Sequence, residues 1–243
     1  GIGSRLKPFT DSHPKALADL GGKPSLIRVA EKLLAAGARG LIVNVHHFPA
    51  QIVECLSAQP FADKVEISDE STLLLDTGGA LAKIARESKL FASVSDNEPI
   101  VVHNSDIFTD FPIEEMISAH TAASADATIL VDPSRTSTRH FLFDGDRRLR
   151  GWENTAKGLM KPEGLDPTGL TPAAFGGVHV LTRRLIHTVG DDAPEPLAPF
   201  SIVDWYLANC ATWNIRGFVP DRPYCWHDIG TPEKLAAAQA RFS

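Results

Sequence analysis

Residues 99–108 read PIVVHNSDIF, a branched apolar run that stops at polar residues and places a carboxylate, Asp106, just past its end. Apolar side chains on successive positions, rather than alternate ones, mark a strand buried on both faces of a sheet. In open parallel sheets ligands bind beyond the carboxyl ends of such strands. Downstream, DATILVD at 126–132 is a second run of this kind, reached through the helical pattern IEEMISAH at 113–120. Upstream, LIVNV at 41–45 and KVEIS at 64–68 read as strands, with helical patterns PAQIVECL at 49–56 and GGALAKIAR at 78–86 following them. Helix SLIRVAEKLLAA at 25–36 lines up Leu26, Ile27, Val29, Ala30, Leu33 and Leu34 along one face and ends at Gly37.

The alternation of strand and helix predicts an α/β fold, a doubly wound and mostly parallel sheet covered by helices. A helix in such an architecture is entered from a strand, so the pattern predicts a further strand upstream of Gly1. After residue 132 the rhythm changes. HFLFDGDRRLRGW at 140–152 predicts a hairpin turning at Asp144-Gly145. Residues 153–172 read as an irregular excursion, and AAFGGVHVL at 173–181 as a strand. Helices are predicted over 182–189, capped by Thr182, and over 201–209, with a strand at 213–219 between that helix and WHDIGT at 226–231. The last helix has Thr231 as its cap and Pro232 at its first position. One domain over 1–243 is expected, its rhythm changing after 132, with 226–243 carrying Asp228 and the final helix.

The 24 basic and 30 acidic residues leave a formal charge of -6 with no basic run, which argues against a nucleic-acid partner. No stretch has the length and apolarity of a membrane span. Cys55, Cys210 and Cys225 are widely spaced, form no zinc pattern and suit a reducing compartment, so a cytoplasmic location is expected.

Several stretches could carry chemistry. GIGSR at 1–5 has glycines that permit a tight turn of amide donors, with Arg5 as a planar fork for phosphate oxygens. It lacks the third glycine of the dinucleotide pattern and does not match the P-loop pattern. Lys15, after Pro14, and Lys23 could each serve phosphate as a mobile point charge, although a lysine taken alone is more often a surface residue. Thr77, Gly78 and Gly79 open a helix whose free donors and small side chains would admit a flat ring. Asp69 and Glu70 end a strand at the same sheet edge and could accept bonds from a base or sugar. Asp106 and Asp228, if they converge, are a plausible pair for Mg2+, which favours carboxylate, water and phosphate oxygens. The histidines form no pattern of metal ligands and no Ser-His-Asp order.

Taken together these stretches resemble the nucleotidyltransferases that act on sugar 1-phosphates. The family signature GxGxRLxPxTxxxPK stands here as Gly1, Gly3, Arg5, Leu6, Pro8, Thr10, Pro14 and Lys15, with every spacing kept. Thr77-Gly78-Gly79 matches its second signature, and Trp226, Asp228, Gly230 and Thr231 match its closing Trp-x-Asp-x-Gly-Thr. The family's Gly-Asp after a central strand is Ser105-Asp106 here, one glycine lost. The resemblance spans Gly1 to about Phe242.

The resemblance implies a Rossmann-like, glycosyltransferase-A-like sheet with a smaller sugar-binding region, 1–132 being mainly nucleotide-binding, 133–225 mainly sugar-phosphate-binding and 226–243 the metal-binding Asp and C-terminal helix, and a first strand immediately before the glycine loop. It implies the reaction of a nucleoside triphosphate with a sugar 1-phosphate to give a nucleotide-sugar and pyrophosphate. Arg5, Lys15 and Asp106 would be catalytic. Gly1, Gly3, Ser4, Arg5, Lys15, Thr77 and Gly78 would bind the nucleotide, and Asp106 and Asp228 would hold Mg2+. Glu153, Asn154, Lys157 and Gly177 are the candidates for the sugar phosphate. Within the family the chain looks most like the short uridylyltransferases for N-acetylmuramate 1-phosphate used in cell-wall recycling. Mannose, heptose or glucose 1-phosphate with GTP or UTP is the alternative, and a non-catalytic sugar-nucleotide sensor is the alternative class. No hexapeptide-repeat domain is present to drive trimer formation, so a monomer or small homo-oligomer is expected.

Overall fold

Strand β1 (Leu41–Val45) pairs in parallel with β2 (Val65–Asp69), linked by α2 (Pro49–Ser57) and preceded by α1 (Ser25–Ala35), in a computed structural model that describes residues 3–96 and 98–241. Gly1, and with it the strand expected upstream, lies outside the described residues. After β2 come α3 (Asp76–Glu87) and the short α4 (Lys89–Ala92). The run at 99–108 is two strands, β3 (Ile100–His103) and β4 (Ile107–Thr109), broken where the polar residues Asn104, Ser105 and Asp106 leave the ladder. Next are α5 (Ile113–Ala122), β5 (Ala127–Asp132), β6 (Arg139–Phe143), β7 (Leu149–Asn154), β8 (Leu159–Lys161) and the long β9 (Thr171–Leu181). The chain closes with α6 (Arg183–Asp192), α7 (Ile202–Asn209), β10 (Ile215–Phe218), β11 (Trp226–Asp228) and α8 (Pro232–Gln239).

The main sheet runs β10-β5-β9-β6-β7-β8, with β3 also paired to β9. It is mixed, not mostly parallel. Among the described residues, β1 with β2 and β10 with β5 are the parallel pairs, and every other ladder is antiparallel. The cause is β9, which enters between β3 and β5 in the reverse direction. A meander of β6, β7 and β8 then extends the sheet from its first half. The predicted hairpin is β6–β7, where the Asp144 amide donates to Arg148 O. β8 is a strand inside the stretch read as irregular.

Helices cover both faces. Ile129 and Val131 of β5 pack with Leu81, Leu185, Ile186, Val189 and Tyr206 on the side of α3, α6 and α7. Leu130 points the other way, to Met116 and Ile113 of α5 and to Val178 and Val180. The alternation along one strand is therefore buried on both sides, as its apolar run requires. No helix among the described residues is long and apolar enough to cross a membrane.

The helix start at α3 shows why small residues stand there. The Gly78 and Gly79 amides donate to Phe200 O at 3.0 and 3.3 Å, and Phe200 N donates back to Leu75 O. A Cβ on Gly78 would lie 2.4 Å from the Phe200 ring and 2.7 Å from its carbonyl oxygen. Gly78→Ala should therefore destabilise the fold by about 1–3 kcal/mol, the range for an overpacked core. A chemical denaturation curve with a lowered midpoint and unchanged slope checks this, and an unchanged midpoint would show that the 198–200 segment yields freely.

Candidate active site

Four segments distant in sequence meet beyond β3 and β4. The first is the loop from Gly3. Gly3 adopts φ 67°, and its carbonyl accepts from Leu6 N and from Thr10 Oγ1, both at 2.9 Å. A Cβ there would meet Thr10 Cγ2 at 2.9 Å and Lys15 Cβ at 3.2 Å, so a glycine lets the loop close on both signature residues. Leu6 is buried with Ala18, Leu20, Ile229 and Ala238, which ties this loop to the closing motif. Ser4 and Arg5 are exposed.

Lys15 lies on a single tight turn over Lys15–Leu17. Its Nζ donates to Asp106 Oδ2 at 2.5 Å, with 14% of the lysine side chain and 35% of the aspartate side chain exposed. The Ser25 hydroxyl lies 3.0 Å from the carbonyl oxygens of Ala16 and Ser105, joining the two loops behind this pair.

Asp228 arrives from β11, whose register sets it opposite Ile107 of β4. One residue further, Ile229 N donates to Asp106 O at 3.0 Å, so the two aspartates are fixed as neighbours by backbone. Gly230 N donates to Asp228 Oδ1 at 2.7 Å, and the Lys234 ammonium donates to Oδ2. Burial opposes the charge on Asp228. The bonds from Lys234 and Gly230, with the charges of Lys234 and Lys15, outweigh it and hold the carboxyl below the usual range. A Cβ on Gly230 would lie 3.4 Å from Arg5 Nη2, so Arg5 also reaches this point.

Gly177 of β9 completes the floor. It adopts φ 79°, accepts a bond from Asn104 N at 2.9 Å, and presses on Ile107, where a Cβ would meet Cγ1 at 2.6 Å. The other sugar-phosphate candidates are not gathered with it. Glu153, Asn154 and Lys157 lie on β7 and the turn after it, two strands from β9 across the sheet. Glu153 Oε1 is 3.0 Å from His140 Nδ1, Asn154 is buried with Oδ1 unpartnered, and Lys157 is exposed. At the sheet edge, Thr77 is half-buried at the start of α3, while the Cβ side and amide of Gly78 are taken by Phe200. Glu70 is not available to a ligand as expected. It is buried, with Oε1 accepting from Asn44 and Oε2 from Leu75 N, and its oxygens hold the β2–α3 connection. The Asp69 Oδ1 accepts from Ser71 N.

Two residues that sequence reasoning missed stand in the same place. Arg135, in the loop between β5 and β6, stacks on the Trp226 ring with Cζ 3.7 Å from its centroid and donates to Phe175 O. Trp226 Nε1 donates to Gly176 O at 2.8 Å. Trp226 and Asp228 share a face of β11, so Arg135 lies on the side that carries the carboxylate. Arg135 Nη1 and the Tyr224 hydroxyl are buried without hydrogen-bond partners among the described residues. The second is Lys234, in the first turn of α8. A lone arginine in a loop, and a lysine on a helix, carry no spacing signal.

Among the described residues no three His, Cys, Asp or Glu side chains gather as a metal site. The arrangement is instead two carboxylates on neighbouring backbone segments, Asp106 holding Lys15 and Asp228 holding Lys234, with Arg5 and Arg135 on the Asp228 side, an excess of cations suited to a polyanion.

The family model described as nucleotidyl transferase matches residues 1–243. The chain is 28% identical over 252 residues to N-acetylmuramate alpha-1-phosphate uridylyltransferase of Caulobacter vibrioides, covering 100% of this chain and 94% of that one. It is 35% identical over 138 residues to probable mannose-1-phosphate guanylyltransferase 2 of Arabidopsis thaliana, covering 54% of this chain and 36% of that protein. Among solved structures it superposes on a putative glucose-1-phosphate thymidylyltransferase from Bacillus anthracis with TM-score 0.75 and 20% identity, covering 100% and 92% of the two chains. HddC from Yersinia pseudotuberculosis gives TM-score 0.73 at 22% identity, covering 100% and 96%.

Proposed function

Since the chain belongs to the nucleotidyl transferase family, and so transfers a nucleotidyl group to a sugar 1-phosphate, we propose that its substrates are UTP and N-acetylmuramate 1-phosphate. The observation that carries the choice is likeness along the whole chain to a uridylyltransferase for that sugar, whereas the likeness to mannose-1-phosphate guanylyltransferases covers about half of it. N-acetylmuramate also brings a carboxylate beside its phosphate. Arg135, beside Trp226 and with Nη1 uncommitted among the described residues, is a cation on the Asp228 side of β11 able to meet it. The three free cysteines support a cytoplasmic setting.

In the proposed reaction a phosphate oxygen of the sugar 1-phosphate forms a bond to the α-phosphorus of UTP. The bond from that phosphorus to the α–β bridging oxygen breaks, and pyrophosphate leaves with the electron pair. The attacking oxygen is already anionic, so no general base is needed, and alignment with charge neutralisation does the work. Arg5 and the backbone of Gly3 and Ser4 would grip the leaving β and γ phosphates. Lys15 would face the α-phosphate, where charge builds as the new bond forms. Thr77, half-buried at the start of α3, would border the base; Gly78, expected to do the same, has its Cβ side and its amide against Phe200. Asp106 and Asp228 fit a hard cation in their chemistry, being carboxylates on neighbouring backbone segments at a site otherwise lined by phosphate-seeking groups. Mg2+ held there would supply charge neutralisation between the reacting phosphates.

The test is pyrophosphate release measured for UTP, GTP, CTP, ATP and dTTP against N-acetylmuramate, mannose, glucose and heptose 1-phosphates. The highest kcat/KM is expected for UTP with N-acetylmuramate 1-phosphate. GTP with mannose 1-phosphate leading the grid would overturn the substrate assignment, and no pyrophosphate from any pair would favour a sensor.

A further inference from the structure

Lys234 matches no signature position, yet its ammonium is bonded to the carboxylate of Asp228. It stands in the first turn of α8, where its own N–H reaches the Thr231 hydroxyl at 3.4 Å. A cation in that turn opposes the helix dipole. The aspartate, not the helix, accounts for where this ammonium lies. Lys15 engages Asp106 in the same way. The two pairs are coupled through the backbone bond from Ile229 N to Asp106 O. The result is a quartet of two ammonium and two carboxylate groups, balanced within itself, with Arg5 and Arg135 as further cations beside it.

A divalent cation entering such a quartet meets two positive charges already on the oxygens it needs. It gains from the carboxylates only if the ammonium groups move to other anions. The phosphate chain of a nucleotide supplies them. Lys234 is free to make that move, since 52% of its side chain is exposed against 22% of the Asp228 side chain, and its stem carries four rotatable methylenes.

We propose that Lys234 is a phosphate-contacting residue that neutralises Asp228 in the free protein and passes to the phosphate chain when a divalent cation takes Asp228. Cation and nucleotide then bind cooperatively, each poorly without the other. The inference rests on Asp228 being a metal ligand, and its test separates the two ideas.

Mn2+ serves as the probe, titrated into the full chain and followed by its electron paramagnetic resonance signal, with and without a non-hydrolysable UTP analogue. Lys234→Met keeps the apolar stem and removes the charge. It should bind Mn2+ alone about tenfold more tightly than the unaltered protein, and lose most of the further tightening that the analogue brings. Asp228→Asn should lose Mn2+ binding under both conditions. If Lys234→Met binds Mn2+ no more tightly and the analogue acts as before, while Asp228→Asn loses the metal, the proposal falls and the metal assignment stands. If Asp228→Asn binds Mn2+ normally, the metal assignment itself falls.

Discussion

Asp106→Ala is expected to lower turnover by about three orders of magnitude while leaving the protein folded, the scale of losing a preorganised charge at a reacting phosphate. Asp106 is held by its own backbone, through the bond from Ile229 N, so truncating the side chain does not release the loop. Its partner Lys15 keeps its place against Gly3 and on its own turn. The ion pair is partly open to water, so its loss costs only about 1 kcal/mol or less of stability. What the change removes is half of the carboxylate pair and the counter-charge of Lys15. Pyrophosphate release under single-turnover conditions, run across a wide Mg2+ range, is the measurement. Asp106→Asn should be nearly as slow, because it keeps a hydrogen-bond acceptor for Lys15 but not the charge. Near-normal rates at high Mg2+ for either variant would end the assignment of Asp106 to the metal.

Lys15→Ala should be the next most damaging change, lowering kcat by about two to three orders of magnitude. The distinction from Asp106 lies in the metal. Lys15 competes for the carboxylate instead of supplying one, so the Mg2+ concentration giving half-maximal rate should not rise, and should fall by up to about tenfold as the competing charge goes. A rate unchanged by Lys15→Ala would contradict its contact with the α-phosphate. A steep rise in the Mg2+ requirement would instead place Lys15 as the residue that orients Asp106.

The parts of this site that could be read from sequence are those whose chemistry demands fixed local spacing. Gly3, Thr10 and Lys15 are such a set, legible through the family signature that keeps their spacing. The loop must bring them within van der Waals contact, and a glycine at positive φ is the means. Asp106 was visible because a buried strand ends beside it. The break of that strand into β3 and β4 was not visible, since an apolar run records burial and not ladder continuity. The direction of β9 was hidden for the same reason, and with it the mixed character of the sheet. Glu70 looked like a free carboxylate at the sheet edge, but nothing in a sequence shows that Asn44 and the Leu75 amide have claimed it. Gly78 looked like room for a ring, and Phe200, far along the chain, fills the Cβ side. Arg135 owes its place to Trp226, a partner that only the folded sheet supplies.

The short ladder of β4 with β11 has a bearing on how this protein is made. Asp106 and Asp228 become neighbours only when Trp226–Asp228 lies along Ile107–Thr109, a closure across on the order of a hundred residues of chain. A nascent polypeptide emerges from the ribosome in order, at about 5–20 residues per second. Glycine loop, Lys15 and Asp106 therefore precede Asp228 by several seconds, and during that interval the growing chain holds its cations without the second carboxylate. On the proposed reaction, catalytic competence would then be gained in one late step, when β11 and α8 behind it dock.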